Sequence, residues 1–90
     1  MIARRFFVSG MVQGVGFRYF VQRSAATHQV KGFVRNLPDG RVEAFAQGSQ
    51  KDVNEFRDDL GTGPRFSKVE HVEEIVEDVD DRYSTFRIDR

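Results

Sequence analysis

The sequence contains no cysteine, and this absence excludes several kinds of site at once. Disulfides, thiolate nucleophiles and cysteine-based zinc or iron–sulfur centres all require that residue. A chain of 90 residues buries only about 60–65% of the surface that it exposes when unfolded. The fold must therefore be held by packing alone, and nine phenylalanines supply large apolar surfaces for it.

The sequence also lacks an excess of charge of either sign and any long apolar run. The 14 basic and 14 acidic residues cancel, whereas binders of nucleic acids and membrane surfaces usually carry a basic excess. The longest apolar run near the start, residues 6–8, is too short for a signal peptide or a membrane span. We expect one cytoplasmic domain over residues 1–90, a monomer without nucleic-acid or membrane partners.

The spacing of apolar residues changes along the chain and predicts the secondary structure. Apolar residues recur from Phe17 at helical spacing until His28, which predicts a helix. Residues 37–40 form a turn signal between two strands. Ser49 with Asp52 three residues later has the pattern of a helix N-cap and predicts the start of a second helix. Strands are predicted over residues 4–13, 30–36, 41–47, 68–76 and 84–88.

The resulting order is β-α-β-β-α-β with a short trailing strand. This order is typical of the ferredoxin-like, or split βαβ, arrangement, an α+β sandwich. The prediction is an antiparallel sheet with two helices on one face. Fold class alone implies no function, because many unrelated activities share this arrangement.

The segment between the first strand and the first helix has the features of an anion site. Its glycines allow successive N–H groups to converge, and the helix N-terminus adds unpaired N–H groups and a partial positive charge. Arg18, in the first helical turn, has a planar fork that suits two phosphate oxygens. The predicted phosphate-binding residues are Gln13, Gly14, Val15, Gly16, Phe17 and Arg18.

Two nucleotide-binding motifs do not fit this segment. A dinucleotide fingerprint needs Gly or Ala three residues after Gly16, where this chain has Tyr19. A Walker loop needs Gly-Lys-Ser/Thr, and no glycine of the chain is followed by lysine.

Asn36 closes the second strand and is the second candidate site residue. In the predicted fold, strands one and two run the same way with strand three between them, so their ends lie about 10 Å apart at one sheet edge. The Asn36 amide could hold a water beside a phosphate on the loop. It could equally be a turn residue before Pro38, and the sequence does not separate the two roles.

Two segments of the chain resemble the signature pair of the acylphosphatase family: SGMVQGVGFR at residues 9–18 and GFVRN at residues 32–36. Length, element order and the Phe-x-Ile ending at residues 86–88 are similar as well. The resemblance implies hydrolysis of acyl phosphates to carboxylate and inorganic phosphate, without metal, cofactor or covalent intermediate. It implies that the loop and Arg18 bind phosphate while Asn36 holds the attacking water. Met11 stands where many members have arginine, which we expect to alter local packing or charge rather than catalysis.

The sequence also suggests rival interpretations. One is a non-catalytic or channelled phosphate-binding domain, because domains similar to acylphosphatases occur at the start of large hydrogenase-maturation carbamoyltransferases, where they handle carbamoyl phosphate. The absence here of zinc-finger cysteines and of a second catalytic region counts against this interpretation but leaves carbamoyl phosphate open as a substrate. Residues 31–34 resemble part of an RNA-recognition motif, yet on strand two instead of three and without alternating aromatics. Isolated His28 and His71 do not make a metal site, and the acidic residues after position 69 fit a solvated sheet edge.

Overall fold

The computed structural model describes residues 1–89, which form two helices and five strands in the predicted order. None of its helices is long and apolar enough to cross a bilayer. The element boundaries lie within a few residues of those predicted. The elements are β1 (Ile2–Met11), α1 (Val15–Thr27), β2 (Lys31–Asn36), β3 (Val42–Gly48), α2 (Gln50–Thr62), β4 (Lys68–Glu77) and β5 (Phe86–Ile88).

The strands form a single sheet in the order β4-β1-β3-β2-β5. β3 pairs antiparallel with both β1 and β2, so β1 and β2 run in the same direction on either side of it. This confirms the predicted ferredoxin-like arrangement. The trailing strand refines it, because β5 pairs parallel with β2 and makes the sheet mixed instead of wholly antiparallel. The charged strand β4 lies at one edge.

The main core lies between the sheet and the two helices. Phe6 and Val8 of β1 point to the same face and are fully buried there. The helices contribute residues at helical spacing, including Phe17 and Val21 from α1 and Phe56 from α2. At the start of α2 the predicted cap is present, since the Asp52 N–H donates to Ser49 Oγ at 3.1 Å.

The opposite face of the sheet carries ion pairs and aromatic rings, which we call the outer-face cluster. The Arg5 guanidinium donates to both Glu77 oxygens, at 2.5 and 2.9 Å, and also to Glu43. Arg35 Nε donates to the other Glu43 oxygen at 2.7 Å. The Glu43 side chain is only 6% exposed. The cluster consists of Arg5, Arg35, Glu43, Glu77, Phe33, Phe45 and Tyr83.

The loop between β4 and β5 is fastened to this outer face. Gln47 Nε2 donates to the Asp80 carbonyl, and the Asp80 N–H donates to Gln47 Oε1, both at 2.8 Å. The Tyr83 ring packs 5.4 Å from the Phe45 ring. These contacts fix the position from which β5 starts, and β5 reaches the candidate site.

Candidate active site

The link between β1 and α1 leaves the start of the helix open. Gly14 is the N-cap residue, and its φ of 105° lies in a region that L side chains rarely adopt. Within residues 1–89, no side chain caps this end, and the first turn carries no acidic residue. The first N–H groups of α1 and the positive end of its dipole are therefore available to an anion.

The two glycines of this loop have different surroundings. Gly14 has a positive φ, but a side chain there would meet nothing within 4 Å. A Cβ at Gly16, by contrast, would lie 3.0 Å from the ring of Phe66, which covers this part of the loop. Gly14 therefore suits the turn of the backbone, and a side chain at Gly16 would require the Phe66 ring to shift.

Two other members of the predicted segment hold the loop in place. Gln13 Nε2 donates to the Arg41 carbonyl at 3.0 Å, which ties the loop to the hairpin that follows Asn36. Phe17 is 1% exposed and belongs to the main core. The loop is thus fixed to the hairpin at one end and to the core at the other.

Arg18 and Asn36 share a property that no other described residue has. Arg18 Nε and Asn36 Oδ1 are the buried side-chain polar atoms of residues 1–89 that lack a hydrogen-bond partner. A buried polar group without a partner costs about 1–3 kcal/mol, so native proteins keep few of them. Arg18 lies in the first turn of α1, the helix that follows β1, and Asn36 is the last residue of β2. Because β1 and β2 run in the same direction on either side of β3, their C-terminal ends lie at the same end of the sheet.

A cavity of about 470 Å³ opens beside Arg18. Val15, Arg18 and Tyr19 line it from α1, and Ile88 lines it from β5. Sequence reasoning assigned no role at this site to Tyr19 or Ile88. The i, i+4 spacing of Val15 and Tyr19 could have indicated that their side chains lie on one face of α1. The position of Ile88, in contrast, depends on the parallel pairing of β5 with β2.

The two histidines do not assemble a metal site within the described residues. In the described part of the chain, no group of three or more His, Cys, Asp or Glu residues could hold a metal ion. His28 Nε2 lies 3.0 Å from Asp59 Oδ2, which also accepts from Ser24 Oγ at 2.7 Å. His28 therefore joins the two helices, and His71 is exposed on β4.

Comparison with known proteins shows the family of this chain. A family model described as Acylphosphatase matches residues 4–88. The chain belongs to the acylphosphatase family. It is 42% identical over 88 residues to an acylphosphatase of Archaeoglobus fulgidus, with 98% of each chain covered. It is 46% identical over 86 residues to one of Solibacter usitatus, covering 96% of this chain and 88% of that one.

Solved acylphosphatase structures have the same fold. The crystal structure of acylphosphatase from Bacillus subtilis matches with a TM-score of 0.94 at 38% identity, over 100% of both chains. Full-length HypF, in a phosphate- and nucleotide-bound form, matches with a TM-score of 0.87 at 28% identity, over 99% of this chain but 12% of that one. The protein is therefore an enzyme that hydrolyses acyl phosphates, and its substrate is a small acyl phosphate.

Proposed function

We propose that the enzyme cleaves the carboxyl–phosphate bond by direct attack of water on phosphorus, without a metal ion or cofactor. The observation that carries this proposal is the pair of buried polar atoms without protein partners, Arg18 Nε and Asn36 Oδ1. One is a donor and the other an acceptor, as a phosphoryl oxygen and a water molecule respectively require.

Arg18 and the loop bind the phosphoryl group. The guanidinium fork donates two parallel hydrogen bonds to phosphoryl oxygens. The N–H groups at the start of α1, beside Gly14, add donors without a competing acidic side chain. Because this positive charge is fixed before the substrate arrives, it stabilises charge on the equatorial oxygens in the transition state.

Asn36 positions the attacking water. Its Oδ1 accepts a hydrogen bond from the water and so directs an oxygen lone pair at phosphorus. The new P–O bond forms as the bond to the acyl oxygen breaks, and the carboxylate leaves with the electron pair. An amide cannot take the proton, so a nonbridging oxygen of the substrate phosphate accepts it. The products are the carboxylate and inorganic phosphate.

The chemistry of the substrate makes a metal dispensable in this scheme. A carboxylate is already a good leaving group, so neither a strong acid nor a Lewis acid has to assist its departure. Phosphoryl transfer needs mainly positioning and charge stabilisation. Arg18 and the N–H groups at the start of α1 supply both.

We also propose that residues 1–90 act as one monomeric, cytoplasmic domain. Residues from both helices and from strands across the sheet share one main core, which supports a single folding unit. The edge strand β4 exposes carboxylates such as Glu70 and Glu73, and charge of this kind opposes edge-to-edge pairing. A chain without cysteine has no requirement for an oxidising compartment.

The test is hydrolysis of benzoyl phosphate in excess EDTA by wild type, Arg18→Ala and Asn36→Ala. Matched controls are Arg23→Ala, an exposed arginine on the same helix, and Asn54→Ala on α2. The proposal is supported if wild type, Arg23→Ala and Asn54→Ala hydrolyse benzoyl phosphate in EDTA. Arg18→Ala and Asn36→Ala should then show no turnover. Turnover that needs added metal contradicts it, and a folded wild type without turnover would be a phosphate-binding module instead.

A further inference from the structure

One face of the first turns of α1 presents apolar side chains beside the charge of Arg18. Val15, Arg18 and Tyr19 stand at positions i, i+3 and i+4, so their side chains lie on one side of the helix. All three line the cavity of about 470 Å³ that Ile88 closes from β5. In the part of the chain that the structure describes, the lining thus combines one cation with apolar or aromatic side chains.

Packing does not explain the two helical apolar residues. Val15 is 53% exposed and Tyr19 is 52% exposed, and neither belongs to either apolar cluster of the fold. Phe17 and Val21, on the other side of the same helix, are buried in the core. Apolar side chains that remain exposed around a cavity are a feature of binding sites.

The chemistry of the substrate identifies what this cavity can hold. In an acyl phosphate a single oxygen links the phosphorus to the acyl carbon, so a phosphoryl group on Arg18 brings the acyl group to the cavity beside it. The cavity volume lies within the usual range for small-molecule sites, about 300–1,000 Å³. Among residues 1–89, Arg18 is the only charged residue that lines it, so the other described walls suit an uncharged acyl group.

We propose that this cavity is the acyl-group site and that Val15 and Tyr19 make the enzyme prefer aromatic acyl phosphates over small ones. The inference rests on the proposed role of Arg18 and adds a specificity for the acyl group. Tyr19 offers a ring face to the acyl group, and Val15 and Ile88 exclude water around it.

A second cavity, of about 310 Å³, is lined by Met11 and Phe66 among others. Gln13 of the loop lines that cavity, but Arg18 does not, whereas an acyl-group site has to lie next to Arg18. Met11 is 72% exposed and serves as a control, because its truncation removes apolar surface near the loop but outside the acyl site.

The experiment compares kcat/KM for benzoyl phosphate and acetyl phosphate in wild type, Tyr19→Ala, Tyr19→Phe, Val15→Ala and Met11→Ala. Tyr19→Ala should lower the benzoyl-to-acetyl ratio about tenfold, which corresponds to about 1.4 kcal/mol. Val15→Ala should lower the ratio about threefold, since it removes less apolar surface. Tyr19→Phe keeps the ring and should keep the ratio, as should Met11→Ala.

The two substrates separate failure of this inference from failure of the proposed function. An unchanged ratio in Tyr19→Ala overturns the acyl site while the wild-type rates still support the hydrolysis mechanism. An equal loss for both substrates also overturns it, because Tyr19 would then act on the phosphate site or on the fold. A folded wild type that hydrolyses neither substrate overturns the proposed function and this inference together.

Discussion

Two arginines of this protein, Arg5 and Arg18, stand in opposite electrostatic situations. The Arg5 guanidinium contacts Glu43 and Glu77 and lies 5.2 Å over the Phe45 ring. The carboxylates raise the pKa of Arg5 above its usual range. Arg18 has no ion-pair partner within residues 1–89, and its Nε is buried without an acceptor. The protein neutralises the charge of Arg5 with its own carboxylates and leaves that of Arg18 without an ion-pair partner among residues 1–89.

This difference indicates where folding and function each depend on charge. Removing one member of a paired, buried cluster leaves an uncompensated charge and destabilises the fold. Removing a cation that the fold never satisfied costs little stability but deletes a binding group. Substitutions in the outer-face cluster should therefore lower stability and spare turnover, and substitutions at Arg18 should do the reverse.

The largest expected effect is that of Arg18→Ala on catalysis. We expect kcat/KM to fall by about 10³-fold or more, as for other arginines that stabilise phosphoryl transfer. Arg18→Lys should restore little, because an ammonium lacks the bidentate fork. Steady-state kinetics with benzoyl phosphate measures both, and thermal unfolding should show an essentially unchanged Tm. Near-normal kcat/KM in folded Arg18→Ala would remove Arg18 from the mechanism.

Asn36→Ala should have the next largest effect, and on kcat alone. We expect kcat to fall by about 10²–10³-fold, the usual effect of removing one positioned hydrogen-bonding group. Affinity for phosphate should remain, since Arg18 and the loop are untouched. Inhibition of the residual activity by inorganic phosphate reports that affinity. Weaker phosphate inhibition at wild-type kcat would place Asn36 in the anion site instead.

Glu43→Ala tests how much the ion pairs of the outer-face cluster contribute to the free energy of unfolding. The substitution removes the carboxylate shared by Arg5 and Arg35 and should lower the free energy of unfolding by about 2–3 kcal/mol. Urea denaturation measures the change, with the exposed Glu73→Ala as a control expected within about 0.5 kcal/mol of wild type. Since the cluster lies on the face opposite the helices, kcat/KM of the folded variant should stay within about twofold. A large loss of kcat/KM in Glu43→Ala would show that the two regions are coupled.

The smallest predicted effect is a pH dependence of stability at Glu77. The hydrogen bond from Arg5 lowers the pKa of Glu77 below its ordinary value of 4.5. Because the folded-state pKa lies below the unfolded one, the stabilisation is present above pH 4.5 and is lost as the pH falls through the folded value. The pair is partly exposed, so the effect should stay below about 1 kcal/mol.

Glu77→Gln provides the measurement of that effect. We expect its Tm to be lower than that of wild type at neutral pH. The gap should narrow as the pH is lowered below 4.5, where wild type loses the ion pair as well. A gap that is independent of pH would mean that Glu77 contributes through packing and not through charge.

Local patterns in the sequence predict most of the fold. The helical spacing from Phe17, the turn at residues 37–40 and the cap at Ser49 each involve neighbouring residues, and the structure places the corresponding elements within a few residues of the prediction. The parallel pairing of β5 with β2 was not predicted. Its three residues carry little pattern of their own, and Gln47 and Tyr83 position the preceding loop through contacts distant in sequence.

The candidate site likewise has features that local sequence patterns predict and features that depend on contacts distant in sequence. The glycine loop with Arg18 is a continuous segment, and strand direction alone brings Asn36 to the same edge, so the sequence predicts both. The sequence did not predict that Ile88 lines the cavity, because this contact depends on where β5 pairs in the sheet. The Arg5–Glu43 pair likewise depends on strand register, in which Arg5 stands opposite Phe45 on the neighbouring strand.

The most direct test of the central claim is the binding of inorganic phosphate, the common product, measured by isothermal titration calorimetry on wild type, Arg18→Ala and Asn36→Ala. If Arg18 is the phosphate clamp and Asn36 only positions water, Asn36→Ala should bind phosphate within about twofold of wild type. Arg18→Ala should show no measurable binding. Phosphate affinity in folded Arg18→Ala equal to that of wild type would contradict the claim.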